Sequence, residues 1–112
     1  MNKIILKLIF SGILTLSATS ALAAGAWTGW QKVAIVYVQG NGDIYVQFSP
    51  SSAQLNPDGC ASKVWYRVQN SNEHAKEIYQ LLLTAKASDS NARAYLSGCE
   101  GSYPILHHAM IW

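Results

Sequence analysis

The chain is poor in the residues that metal, thiol and phosphate chemistry require. It has two cysteines, three histidines and three prolines in 112 residues. Cys60 and Cys99 stand far apart, with no Cys-x-x-Cys pair, so neither a zinc ribbon nor a redox dithiol is written into the sequence. There is no G-x-S-x-G, no H-E-x-x-H, no P-loop and no glycine-rich dinucleotide turn. Ser, His and Asp all occur, but without the arrangement of a triad. The expectation is a protein that is not an enzyme and holds no cofactor and no metal. Only 12% of residues are charged, and Lys and Arg form no stripe, which argues against nucleic acid bound through its phosphates. The apolar run Leu8 to Leu16 is too short and too interrupted for a membrane span.

That run instead reads as part of an export signal. Lys3 and Lys7 give a positive start, and Ala21-Leu22-Ala23 supplies small residues before a cut. Cleavage is expected after Ala23, with Ala26 as the alternative. Residues 1–23 are then a signal peptide and 24–112 a single domain, exported to the periplasm or secreted. The eight Lys and Arg exceed the six Asp and Glu only because of Lys3 and Lys7, so the domain itself is near neutral. In an exported chain, two cysteines are expected to form a disulfide. Closing a loop of about 40 residues contributes roughly 4 kcal/mol in the chain-entropy view. A free thiol or a metal site is the alternative.

Residues Asn70 to Ala87 read as one helix. Asn70 or Ser71 serves as the cap, and Glu73 can reach back to the first turn. Ala75, Ile78, Tyr79, Leu82 and Ala85 share one face, and Leu81 and Leu83 widen the stripe. So broad a stripe predicts a helix set into a groove or across a barrel mouth, or one flank meeting another subunit. Around the helix lie five expected strands: Gln31–Gln39, Ile44–Phe48, Lys63–Val68, Ala92–Leu96 and Ile105–Ile111. Gly40-Asn41-Gly42-Asp43 turns the first into the second, Ser49 to Gly59 is a loop, and Ser97 to Gly101 turns the fourth into the fifth. The fold class is α+β, mostly β. The order β-β-β-α-β-β is that of a small five-stranded OB-like barrel with one helix and one disulfide. In that fold the third and fifth strands run parallel, which brings Cys60 and Cys99 to the same end. The rival is another α+β sheet with the helix packed on one face.

If Ile44, Val46 and Phe48, with Val64, Tyr66 and Val68, face the core, then Tyr45, Gln47, Trp65 and Arg67 share the outer face. Such a set suits sugars: aromatic rings stack on their apolar faces, while Arg and Gln meet hydroxyls or carboxylates. Trp65 in the core or at a subunit interface is the competing reading. Trp27 and Trp30 suggest that the N-terminal stretch is tied down, on its own domain or on a neighbour. His107 and His108, adjacent on a strand, are expected to point to opposite faces and not to share a metal. His74 has no spaced partner.

The stretch AKEIYQLLLTAKAS (Ala75 to Ser88), with LSGC (Leu96 to Cys99) and the last apolar strand, resembles a group of small exported bacterial proteins. The layout, with AWTGW (Ala26 to Trp30), is also similar to the B subunits of subtilase-cytotoxin-type toxins. That resemblance implies an OB-fold, a homo-oligomeric ring and recognition of cell-surface glycans. It carries over no binding residue, and only one disulfide is possible here. The expected function is a secreted or periplasmic binding module with carbohydrate as the leading ligand. The alternative is a periplasmic protein-interaction factor, an inhibitor or accessory subunit, acting through the loop Ser49 to Gly59.

Overall fold

The computed structural model describes residues 25–112. The expected signal peptide, residues 1–23, lies outside the described residues. The described chain is α+β, with six strands in one sheet and one helix. The strands are β1 (Ala26–Trp27), β2 (Gln31–Val38), β3 (Ile44–Ser49), β4 (Tyr66–Val68), β5 (Asn91–Glu100) and β6 (Tyr103–Ile111), with α1 (Ala75–Ser88) between β4 and β5.

Alternation builds the core. Ile44, Val46 and Phe48 of β3 and Tyr66 and Val68 of β4 are buried, while Tyr45, Gln47 and Arg67 between them are not. Ala92, Ala94 and Leu96 of β5 and Leu106 of β6 complete the sheet side. From α1, Ile78, Leu82 and Ala85 are buried against it, with Ala75 and Tyr79 packed at the margin. The expected apolar face of the helix is therefore the one it buries. Leu83, off that face, is 39% exposed.

The sheet order is β1-β5-β2-β3-β4-β6, with β5 also paired to β6. All pairings are antiparallel except β4 with β6, which is parallel as the sequence suggested. The pairing is uneven. β5 and β6 match from Ala92↔Ile111 to Glu100↔Tyr103, whereas β4 and β6 meet at Arg67↔Ile105 alone. The strands thus do not make an even barrel.

Cys60 and Cys99 form a disulfide with Cα atoms 5.7 Å apart, across a sequence separation of 39. The loop that leads into Cys60 is held at several points. Asn56 and Cys60 exchange hydrogen bonds of 2.7 and 2.9 Å, and Gln54 Nε2 donates to the Phe48 carbonyl at 2.7 Å. Tyr66 donates its hydroxyl to the Leu55 carbonyl at 2.8 Å, and burial pushes that phenol up to about 12.

Several boundaries differ from the sequence reading. The helix starts at Ala75, not Asn70, because Asn70 is used elsewhere: its amide donates to Asp43 Oδ1 at 2.8 Å and its side chain donates to the Asn41 carbonyl. Asn72 accepts from the His74 amide, a local turn that competes with helix. β4 starts at Tyr66, not Lys63; the Ser62 hydroxyl accepts from the amides of Val64 and Trp65, and Val64 is exposed rather than in the core. β5 runs through Ser97-Gly98-Cys99 to Glu100, absorbing the glycine in an irregular register, and turns only at Gly101, where φ is +62°. β1 is an additional strand.

Candidate functional site

The hairpin of β2 and β3 sets Tyr37 opposite Tyr45, and the next pairing sets Tyr45 opposite Arg67. Odd-numbered residues of β3 point outward, so these side chains meet on the outer surface. Tyr45 is the centre of the group. Its ring centroid lies 5.7 Å from Tyr37, 6.5 Å from Trp65 and 5.1 Å from Tyr103, and the Arg67 guanidinium lies over it at 5.7 Å. Trp65, just before β4, is half-buried and outside the buried core. Gln47 is half-buried one outward position further along β3, opposite Ile35.

Three of the four expected surface residues, Tyr45, Trp65 and Arg67, are thus gathered, with Gln47 beside them. Sequence reasoning misses Tyr37 and Tyr103. The stretch around Tyr37 reads as apolar on both faces, and Tyr103 falls before the expected start of the last strand. Tyr37 is 48% exposed and supplies the most open ring of the group.

Arg67 differs in role from the sequence expectation. It donates from Nε to Asp43 Oδ2 at 2.8 Å and from Nη2 to the same oxygen. Asp43 is almost fully buried, and its other oxygen accepts from the Asn70 amide at 2.8 Å. Burial pushes the Asp43 carboxyl up, but the Asn70 amide, Arg67 and Asn41 together hold it below its ordinary value. Desolvation lowers Arg67, yet the Asp43 contact outweighs it and leaves Arg67 raised, with Glu100 adding to the effect. Burial likewise raises the Tyr45 phenol, against the pull of Arg67. The guanidinium is therefore already neutralised by the chain itself and serves to position Tyr45.

A second concavity lies between the start of α1 and β6. It has a volume of about 350 Å³ and is lined by Asn72, His74, Glu77, Leu81, His107 and His108, among others. The expectation that His107 and His108 point apart is corrected here. The register slips between Tyr95↔His108 and Leu96↔Leu106, leaving His107 as an extra residue in a bulge. Both rings therefore line the same concavity, with centroids 6.4 Å apart. His107 Nε2 is bonded to the Ser97 carbonyl at 2.8 Å. Among the described residues, no three His, Cys, Asp or Glu are grouped so as to hold a metal, and no helix is long and apolar enough to cross a membrane.

The N-terminal tryptophans are tied to their own domain. β1 pairs with β5 at Ala26↔Leu96 and Trp27↔Tyr95, and Thr28 and Ala94 exchange hydrogen bonds of 2.8 and 3.0 Å. Gly25, at φ +61°, lets the chain pass over the Tyr95 hydroxyl, where a Cβ would collide.

The fold and surface define an α+β domain, mostly strand, closed by one disulfide. Comparison with known proteins finds no family model, no curated protein and no solved structure that matches the chain.

Proposed function

We propose that this is an exported, non-enzymatic carbohydrate-binding module whose recognition surface is the outer face around Tyr45. The single observation that carries the reading is the convergence of Tyr37, Trp65 and Tyr103 on Tyr45 over 5.1–6.5 Å, on a face that is only half-covered. Such a platform offers aromatic area to the apolar faces of sugar rings. Its charge favours a neutral ligand. Arg67 is matched by Asp43, and Glu100 stands close by, held by Gln69 Nε2. A ligand carboxylate would meet no free cation there, so hydroxyl-rich neutral sugars fit better than acidic ones.

The barrel reading belongs to the same proposal. Support comes from the pairings that lead from β2 through β3, β4, β6 and β5 back to β2, a circuit compatible with an OB-type barrel that is thin at β4–β6. Oligomer-binding surfaces in such barrels commonly use the second and third strands, here β3 and β4.

The test is a glycan array probed with the disulfide-bonded protein and with two variants, Trp65→Ala and Tyr37→Ala. Both variants are expected to keep the disulfide and the far-UV circular dichroism of the parent and to lose roughly five- to tenfold in binding, since a stacked ring contributes on the order of 1–1.5 kcal/mol. Folded variants that bind as well as the parent would remove this assignment.

A further inference from the structure

Away from Tyr45, the outward face of β1 and β5 carries a cation with no ion-pair partner among the described residues. Arg93 lies on β5 with its guanidinium carbon 4.8 Å from the Trp27 ring centroid and 5.3 Å from that of Trp30. Two indoles hold the group in place through its charge. Its Nε is buried without a hydrogen-bond partner, and among the described residues Arg93 takes part in no ion pair. The contrast with Arg67, locked onto Asp43, is direct.

Trp30, which holds the cation on one side, borders a recess on another. Trp30 and Trp112 meet edge to face at 5.8 Å, and with Asn91 they line a recess of about 210 Å³. The Trp112 amide donates to the Asn91 carbonyl at 2.8 Å, which fixes the backbone behind a side chain that is 84% exposed. Met110, opposite Arg93 in the register, is an exposed apolar neighbour of the cation's strand position.

We infer that Arg93, Trp30 and Trp112 form an anion subsite for a small molecule that carries a carboxylate or phosphate on a flat apolar body. A guanidinium presents a planar fork of donors that matches two oxygens at once, and a fork held between aromatic faces has little entropy left to lose. The flat body lies in the recess against Trp30 and Trp112. This subsite is built on β1, β5 and the end of the chain, apart from the β3 and β4 residues of the Tyr45 platform, and stands or falls independently of it.

The experiment is an NMR titration of the disulfide-bonded protein with benzoate, phenyl phosphate and the neutral isostere benzamide. The indole N–H and Arg Nε–H signals report on the site. One or both anions are expected to give saturable shifts at these signals, and which of them binds more tightly separates carboxylate from phosphate recognition. Benzamide is expected to bind at least about tenfold more weakly. Arg93→Gln is expected to lose about tenfold or more, and Arg93→Lys, which keeps the charge but not the fork, to recover only part of the loss. Trp112→Ala is expected to weaken anion binding while leaving the Trp27 and Trp30 rings over Arg93 in place, so it decides the question even if Arg93→Gln folds poorly. Equal binding of benzamide, no saturation with either anion, or an unchanged affinity in folded Arg93→Gln or in Trp112→Ala would overturn the inference.

Discussion

Asp43 joins three parts of the chain through one carboxylate: the β2–β3 turn through Asn41, β4 through Arg67, and the approach to α1 through Asn70. Removing its charge leaves Arg67 without its partner in a mostly buried position. Asp43→Asn is therefore expected to destabilise the domain by about 2–3 kcal/mol at neutral pH, read from urea unfolding. The lowered folded-state value sets the sign of the pH effect. The contribution is complete above the ordinary value of 3.8 and is lost as pH falls through the lower value of the folded protein. The gap between parent and variant should accordingly narrow in acid unfolding below that pH. A gap that stays constant down to the acid transition would contradict this role. In the sequence, Asp43 reads only as a turn residue. Its partners come from 24 and 27 residues away, and no local pattern announces them.

At the scale of elements, helix α1 is the most legible feature. The spacing of Ile78, Leu82 and Ala85 at 3.6 residues per turn survives into the buried face. Leu82→Ala, at a site with no exposure, is expected to cost about 3 kcal/mol, whereas Leu83→Ala, 39% exposed, costs about 1 or less; paired urea transitions check both. β3 and β4 are legible for a related reason, since alternation fixes which of their residues face out. That is why Tyr45 and Arg67 can be placed together. The start of the helix is not legible, because Asn70 is an equally good cap and an equally good side chain for holding the Asn41 carbonyl, and tertiary contact decides. The bulge at His107 leaves no mark in composition, yet it rotates two imidazoles onto one side. Arg93 cannot be read as a site, since its setting depends on β1 lying beside β5.

For the molecule as a whole, a short chain depends heavily on its cross-link. The Cys60–Cys99 bond closes a segment that contains β4, α1 and most of β5. Replacing both cysteines by Ala is expected to lower stability by up to about 4 kcal/mol, a large share of the net for a domain of this size, measured by urea unfolding beside the oxidised parent. The near equality of acidic and basic residues outside the expected signal peptide means that recognition cannot rest on long-range steering. Under the two proposals above it comes from contact, with sugar rings on the tyrosine platform and an anion at the fork between the indoles.

The single bridge Arg67↔Ile105 is the thinnest line in the sheet, and the two tyrosines in closest ring contact sit on either side of it, Tyr45 on β3 and Tyr103 on β6. A guest resting across both rings, as the proposed function has it, would join β3 to β6 over the short strand between them like a clasp.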